Sequence, residues 1–417
     1  MLLLGSALTL LSMGGAGTGN LDQTDTDLFA ASSDALVERG RYLALAGNCA
    51  SCHTAENGAF MAGGLAFETP FGRVYSTNIT PDADTGIGNW SGLDFLASMR
   101  LGIRPDGEHL YPVFPYTAFT QVTDEDVAAL YAYLRSVRPV RYSPAENELS
   151  FPFNLRSLIS VWKAMYFEAG AYAPATAKPG EWNRGAYLVE ALAHCGACHS
   201  PRNFLGAESA TLAMTGGVYT GEVRSGALRP WSAPNLTSAH GGLGIWPHEE
   251  ISAYLQTGRN SFVETFGPMN EVILNSTQHL NEGDVEAMAT YLKSLPSNEA
   301  DRGPAARDDV LGMGRTLYNL HCGTCHLPTG LGDPEVAPRL GEGSLVVRAS
   351  DPASLINVIL DGPQPPDPPL PPKWRNPMED FRYLLDDEEI AALASYVRNS
   401  WGNTASAVSA SEVAAQR

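Results

Sequence analysis

Three pentapeptides constrain this chain more than anything else in it: Cys49-Ala50-Ser51-Cys52-His53, Cys195-Gly196-Ala197-Cys198-His199 and Cys322-Gly323-Thr324-Cys325-His326. Together they use all six cysteines. C-x-x-C-H is an attachment site for a c-type haem. Two thiols add across vinyl groups, and the adjacent histidine is placed as the proximal iron ligand. A disulfide framework would not require a histidine after every pair. A zinc site would need its cysteine pairs close together, whereas these begin 146 and 127 residues apart, about a domain each. A thioredoxin-like motif would occur once, near a βαβ pattern. The pattern therefore predicts three covalently bound haem c groups and electron transfer. Cys49, Cys52, Cys195, Cys198, Cys322 and Cys325 are the anchors, and His53, His199 and His326 the proximal ligands.

With 46 acidic against 27 basic residues the formal charge is −19, and no basic stripe exists, which argues against nucleic acid as a partner. The apolar run Met1 to Leu11, followed by small residues up to Gly19, resembles the end of a secretory signal without its basic n-region, so residues 1–20 are expected to be a leader. No later stretch approaches 18 uninterrupted apolar residues, so no transmembrane anchor is expected. Bacterial c-type maturation acts outside the cytoplasmic membrane, and the chain reads as periplasmic.

Internal repeats set the organisation. A short helix seed precedes each attachment site: Gly40-Arg41-Tyr42-Leu43, Gly185-Ala186-Tyr187-Leu188 and Gly314-Arg315-Thr316-Leu317. An acidic helix start and an apolar face follow each, as Asp126 to Leu134, Asp284 to Leu292 and Glu389 to Val397. Thr123, Asn281 and Asp386 stand as N-caps. The seed glycine lets the last helix cross closely. Trp90 to Gly102 and Trp246 to Gly258 are matched helical steps, with Ser354 to Gly362 a shorter third. Ser76-Thr77-Asn78-Ile79-Thr80 parallels Ala233-Pro234-Asn235-Leu236-Thr237, and Ala337-Pro338-Arg339-Leu340 is a poorer copy. The expected fold is all-α, three tandem domains of the class I cytochrome c type joined by short linkers. Their expected bounds are 30–145, 181–299 and 305–402. Residues 146–180 read as a linker helix packed on its neighbours in preference to a partner-docking surface, Pro363 to Pro372 as an irregular loop, and 403–417 as a flexible tail.

A six-coordinate electron-transfer haem commonly pairs histidine with methionine. Met269 in Gly267-Pro268-Met269 and Met378 in Asn376-Pro377-Met378 occupy matched positions before the last helix of their repeats, and are the expected distal ligands. In the first repeat that place is held by Phe114, which cannot bind iron. Met99 on the preceding helix is the first choice there, with His109 or an open iron as the alternatives. His194 and His321 read as helix-end residues or propionate partners.

From about Val37 to Gly402 the chain resembles the tri-haem cytochrome c subunit of bacterial membrane-bound dehydrogenases that oxidise alcohols, aldehydes, gluconate, sorbitol or fructose. The stretches that carry the resemblance include Thr69-Pro70-Phe71-Gly72, Asn78-Ile79-Thr80-Pro81-Asp82, His109-Leu110-Tyr111-Pro112, Trp182 to Leu188, His194 to Asn203, and Gly267 to Val272. In many relatives a methionine stands where this chain has Phe114. The resemblance implies a catalytic partner subunit of flavin, pyrroloquinoline quinone or molybdenum type. Its electrons would pass along the haems to membrane ubiquinone, at the outer face of the cytoplasmic membrane, with peripheral attachment through partners. The rival expectations are a peroxidase-like haem enzyme using an open first haem, and a free periplasmic carrier.

Overall fold

The computed structural model describes residues 28–29, 33–223, 226–299, 303–333, 335–364, 366 and 378–417. The expected leader, residues 1–20, lies outside them, as does most of the proline-rich run.

The first unit opens with α1 (Asp34–Ala46) and the attachment turn α2 (Cys49–His53), then a hairpin of β1 (Ala66–Thr69) and β2 (Gly72–Tyr75). It closes with α3 (Gly92–Leu101), α4 (Tyr116–Phe119) and α5 (Asp124–Ser136). A connector follows, holding β3 (Glu148–Leu149) and α6 (Leu158–Tyr166). The second unit repeats the order: α7 (Gly180–Ala186), continued by a π-helical turn over Tyr187–Leu192, the attachment turn α8 (Gly196–His199), and a hairpin of β4 (Gly217–Glu222) and β5 (Leu228–Ala233). It ends with α9 (His248–Thr257), α10 (Met269–Asn275) and α11 (Glu282–Ser294). The third unit has α12 (Asp308–His321), the turn α13 (Gly323–His326), α14 (Leu345–Arg348), α15 (Ala353–Asp361) and α16 (Asp387–Arg398). Beyond it lies α17 (Ala410–Gln416).

Local chemistry explains these elements. The Thr123 and Asn281 side chains accept the backbone N–H of Asp126 and Asp284, and Asp386 forms a reciprocal capping box with Glu389. The first and last helices of each unit cross at a glycine. A Cβ would lie 1.9 Å from Ala129 O at Gly40, 1.9 Å from Ala287 O at Gly185, and 2.1 Å from Ala392 O at Gly314. No side chain fits there, so these glycines are contact points and not turn formers. Turn glycines do occur: Gly102 and Gly258 end α3 and α9 with φ of 60° and 71°.

The fold is mostly helical, but the all-α expectation needs correcting. Two antiparallel sheets stand among the described residues, β1-β2-β3 and β4-β5. In the first, Thr69 pairs with Gly72 across the turn and Gly72 pairs with Leu149. Only a glycine allows that approach, since a Cβ on Gly72 would sit 2.2 Å from Glu148 O. Both hairpins follow an attachment turn.

The first two units share one apolar core, which takes in Leu43, Leu130 and Leu134 together with Leu188, Leu192 and Val285. The third has its own, built on Tyr318, Ile356, Leu360, Ile390 and Leu393. It docks on β5, where Ser232 N donates to Ser354 Oγ at 2.8 Å and Ser354 N to Ser232 Oγ at 3.1 Å. The Trp246 indole also donates to Gly343 O at 2.8 Å.

Residues 403–417, expected to be a flexible tail, are instead packed. Val408 and Val413 are buried in the third core, and Ser409 caps α17 in a box with Glu412. Arg417 bonds Asp387 and the Leu385 carbonyl. An Ala/Ser-rich composition concealed two valines spaced to fill one cavity wall.

Candidate functional site

Each attachment turn places its two cysteines three residues apart on a helical turn, hence on one face, with the histidine one step beyond. None of the six cysteines is in a disulfide. Burial pushes Cys49, Cys52, Cys195 and Cys322 up to about 12 and Cys198 to about 11, so they are held as neutral thiols in apolar surroundings. Among the described residues no three His, Cys, Asp or Glu side chains converge as a metal site.

The histidines are aimed the same way in all three units. Nδ1 of His53 meets Thr77 O at 2.7 Å, that of His199 meets Pro234 O at 2.7 Å, and that of His326 meets Pro338 O at 2.8 Å. A carbonyl only accepts, so each Nδ1 carries the proton and each Nε2 keeps a free lone pair. Burial lowers all three imidazole pKa values, opposed only in part by the carbonyl bond, and favours this neutral form. Such an outer hydrogen bond fixes tautomer and ring direction for a metal-binding histidine. Two thiols, a directed imidazole and an apolar surround are the donor set that a covalently held haem requires, and the residues fit it.

Sequence reasoning missed the carbonyls, although their signal is the repeated loop that contains them. Thr77 and Pro234 each precede an asparagine whose Oδ1 accepts the N–H and hydroxyl of the threonine two residues on. Asn78 Nδ2 then donates to Val140 O at 2.7 Å, and Asn235 Nδ2 to Asn298 O at 2.8 Å. Each asparagine thus locks the carbonyl loop to the chain just past the last helix. Asn235→Ala is expected to cost about 1–3 kcal/mol, because these buried partners lose their bonds. It should also shift the potential of a haem held at Cys195 and Cys198, read by redox titration, while Asn298→Ala, which keeps the backbone acceptor, should not.

The distal candidates sit on different elements. Met269 begins α10, two residues after Gly267, where an added Cβ would lie 2.9 Å from the Trp231 ring. Met378 packs against the third core. Met99 is buried on α3, in the same apolar cluster that Phe114 joins, and Phe114 packs 5.4 Å from Phe119. His109 is tied to the connector, its Nδ1 3.0 Å from Lys163 Nζ and its carbonyl accepting from Arg156. His194 is left-handed, with φ of 38°, and meets Phe119 edge-on at 5.3 Å across the boundary between the first two units, and His321 meets Phe381 at 5.8 Å.

That boundary is built as a reciprocal pair. Tyr42 OH donates to Asp284 Oδ2 at 2.6 Å, and Tyr187 OH, at the matched place, donates to Asp126 Oδ2 at 2.6 Å. Each carboxylate also takes an arginine from its own unit, Arg184 on Asp284 and Arg39 on Asp126. The third unit has Met313, Thr316 and Glu389 at these positions, and no tyrosine among them to make such a pair. Helix α10 adds a second tie: Asn275 Nδ2 donates to Ser51 Oγ, inside the first attachment turn, at 2.8 Å. Its other end reaches the third unit, with Asn270 Nδ2 on Gln364 O at 3.0 Å.

Burial alone would raise the Asp284 pKa, but the Arg184 and Tyr42 hydrogen bonds outweigh it and hold the carboxyl below its usual range. A depressed carboxylate stabilises above its unfolded pKa, near 4, and that contribution is lost as pH falls through the folded value. The boundary should therefore hold from neutrality down to about pH 4 and loosen below it. Tyr42→Phe with Tyr187→Phe should remove about 1.5–3 kcal/mol per bond and raise the pH of acid unfolding, followed by circular dichroism.

The comparisons agree with this geometry. The "Cytochrome c" family profile matches residues 37–138, and that of "Cytochrome C oxidase, cbb3-type, subunit III" matches 311–397. The gluconate 2-dehydrogenase cytochrome c subunit of Pantoea cypripedii is 37% identical over 402 residues, 92% of this chain and 90% of that protein. The fructose dehydrogenase cytochrome subunit of Gluconobacter japonicus is 36% identical over 428 residues, 95% of this chain and 86% of that protein. A nicotinate dehydrogenase subunit of Pseudomonas putida is 42% identical over 377 residues, 88% of this chain, but the chain spans only 30% of its length. Likeness of this extent, on a chain whose attachment turns are all intact, makes it a member of the family of dehydrogenase cytochrome c subunits, a c-type cytochrome with covalently bound haem c that transfers electrons.

Proposed function

We propose that the chain is a periplasmic tri-haem relay, one haem c in each of three tandem cytochrome c domains, that accepts electrons from a catalytic dehydrogenase subunit and delivers them to membrane ubiquinone. The observation that carries the reading is the threefold recurrence of a C-x-x-C-H turn with its imidazole held by a backbone carbonyl. When bound, each haem supplies a one-electron iron couple. The chain's part is to hold and tune it. His53, His199 and His326 would bind iron through Nε2, and Met269, Met378 and, in the first unit, Met99 would supply the sulfur ligands. The shared core and the Tyr–Asp pairs hold the first two sites in fixed relation, and α10 ties that body to the third unit.

The relatives are named as gluconate, fructose and alcohol dehydrogenase subunits, which supports a catalytic partner of that kind. The test is haem-to-protein stoichiometry with low-temperature EPR of the oxidised chain. Three haems and three low-spin signals are expected. Two haems would remove the relay, and a high-spin signal in the first unit would exchange Met99 for an open iron, the arrangement a peroxidase-like site would need.

A further inference from the structure

Between Glu148 and Glu168 the chain has no acidic residue, although acids outnumber bases 46 to 27 overall. The two basic residues of this stretch are both engaged inward. Arg156 pairs with Glu108 at 3.0 Å and lies 4.6 Å over the Tyr111 ring. Lys163 is buried, its Nζ donating to Leu101 O at 2.6 Å and Gly102 O at 2.8 Å, capping the C-terminal end of α3. What remains outward carries no unpaired charge, and between the exposed Asn154, Ser157 and Ser160 it presents large apolar side chains. Phe151 is 78% exposed, Val161 and Met165 are each 55% exposed, and Leu158 is exposed beside them. Ile159 and Lys163 anchor the other side of α6, so the outward stripe is fixed in place.

The face continues into the second unit. Phe71 packs 4.5 Å from Phe153, and a Gly206 Cβ would lie 3.1 Å from the Phe71 ring. The Trp162 indole donates to Leu205 O at 3.0 Å, and the neighbouring Phe204 is 85% exposed. The connector thus packs on its neighbours on one side only.

We propose that Phe151, Phe153, Leu158, Val161, Met165 and Phe204 form a lipid-docking surface that seats the protein at the boundary between headgroups and acyl chains of a phospholipid bilayer. The inference rests on the proposed delivery of electrons to a membrane quinone and names the contact that delivery needs. Charge selects the occupant. On a chain of net charge −19, a stretch of 19 residues without an acid, beside which Glu108 is neutralised by Arg156, is one that can approach an anionic bilayer without strong repulsion. Its rings stand out singly at 78% and 85% exposure, free to enter an acyl layer, and the stretch offers none of the charged side chains that form the polar rim of a protein interface. Nine helical residues span only about 13 Å, against a hydrocarbon core of about 30 Å, so α6 lies in the plane of the interface. The packed α17, the other short helix outside the three units, has its apolar residues committed to the third core.

The experiment is flotation of the haem-loaded full chain with vesicles of phosphatidylcholine and phosphatidylglycerol, comparing the native protein with Phe151→Ser/Val161→Ser/Phe204→Ser. The native chain is expected to co-float, and the variant to partition at least roughly tenfold less, since three apolar side chains no longer leave water. These side chains are largely solvent-exposed, so the variant should keep its melting temperature and haem content. Equal flotation of both proteins overturns the proposal. So does failure of the native chain to float together with loss, in the variant, of co-purification with the dehydrogenase subunit, which would assign the face to a protein. Turnover with a water-soluble quinone analogue tests the relay separately. It should be unchanged in the variant, and its absence in the native complex would strike the relay reading and leave the lipid result standing.

Discussion

Gly314→Val is expected to abolish stable folding of the third unit. A Cβ at 314 would lie 2.1 Å from Ala392 O and 2.6 Å from the Tyr396 Cβ, and the first of these is backbone, which no rotamer change relieves. Helices α12 and α16 would have to separate along the crossing that closes this core. Overpacking typically costs about 1–3 kcal/mol where side chains can yield. Here they cannot, and about 4 kcal/mol or more is expected, a large part of the stability of a domain. The readout is a thermal melt together with haem content per chain, both of which should fall. Gly312→Ala, in the same helix, has nothing within 4 Å of its added Cβ and should stabilise by about 0.5–1 kcal/mol. If both variants melted like the native protein, the close crossing would not exist.

His199→Gly should keep its covalent attachment through Cys195 and Cys198 but lose the ligand that Pro234 O orients. Removing an outer-shell partner of a metal ligand commonly costs about 10–100-fold, so removing the ligand itself should reduce electron throughput by more than about 100-fold. The low-spin EPR signal of the haem proposed at this turn should disappear with it. Free imidazole should restore part of both, because the deletion leaves a ring-sized space facing an intact carbonyl. Asn235→Ala should fall between the native protein and His199→Gly. An unchanged low-spin spectrum in His199→Gly would remove His199 from the site.

What could be read from sequence was local. The C-x-x-C-H turns, the caps at Thr123, Asn281 and Asp386, and the crossing glycines depend on residues within a few positions or on a repeat that matches them. The loop motif around Asn78 and Asn235 was visible as a repeat, but its purpose was not. The acceptor is the backbone carbonyl of Thr77 or Pro234, and a carbonyl leaves no mark on residue identity. The two hairpins escaped because their strands are short, and the first is closed by a glycine whose need arises only from Glu148, 76 residues away. The tail escaped because Val408 and Val413 look isolated until the third core supplies the wall they fill.

The sequence by itself determined which cysteines and histidines are spaced for haem attachment, because thioether spacing and imidazole adjacency are covalent facts of five residues. Tertiary structure alone decided how the sites are related. Tyr42 and Asp284 lie 242 residues apart, and Tyr187 and Asp126 are 61 apart. Neither pair differs in composition from ordinary surface tyrosines and aspartates. Only when two copies of one helix pair meet face to face do their hydroxyls reach each other's carboxylates. The third copy has Thr316 in place of the tyrosine and Glu389 in place of the aspartate, and is joined instead through β5 and α10.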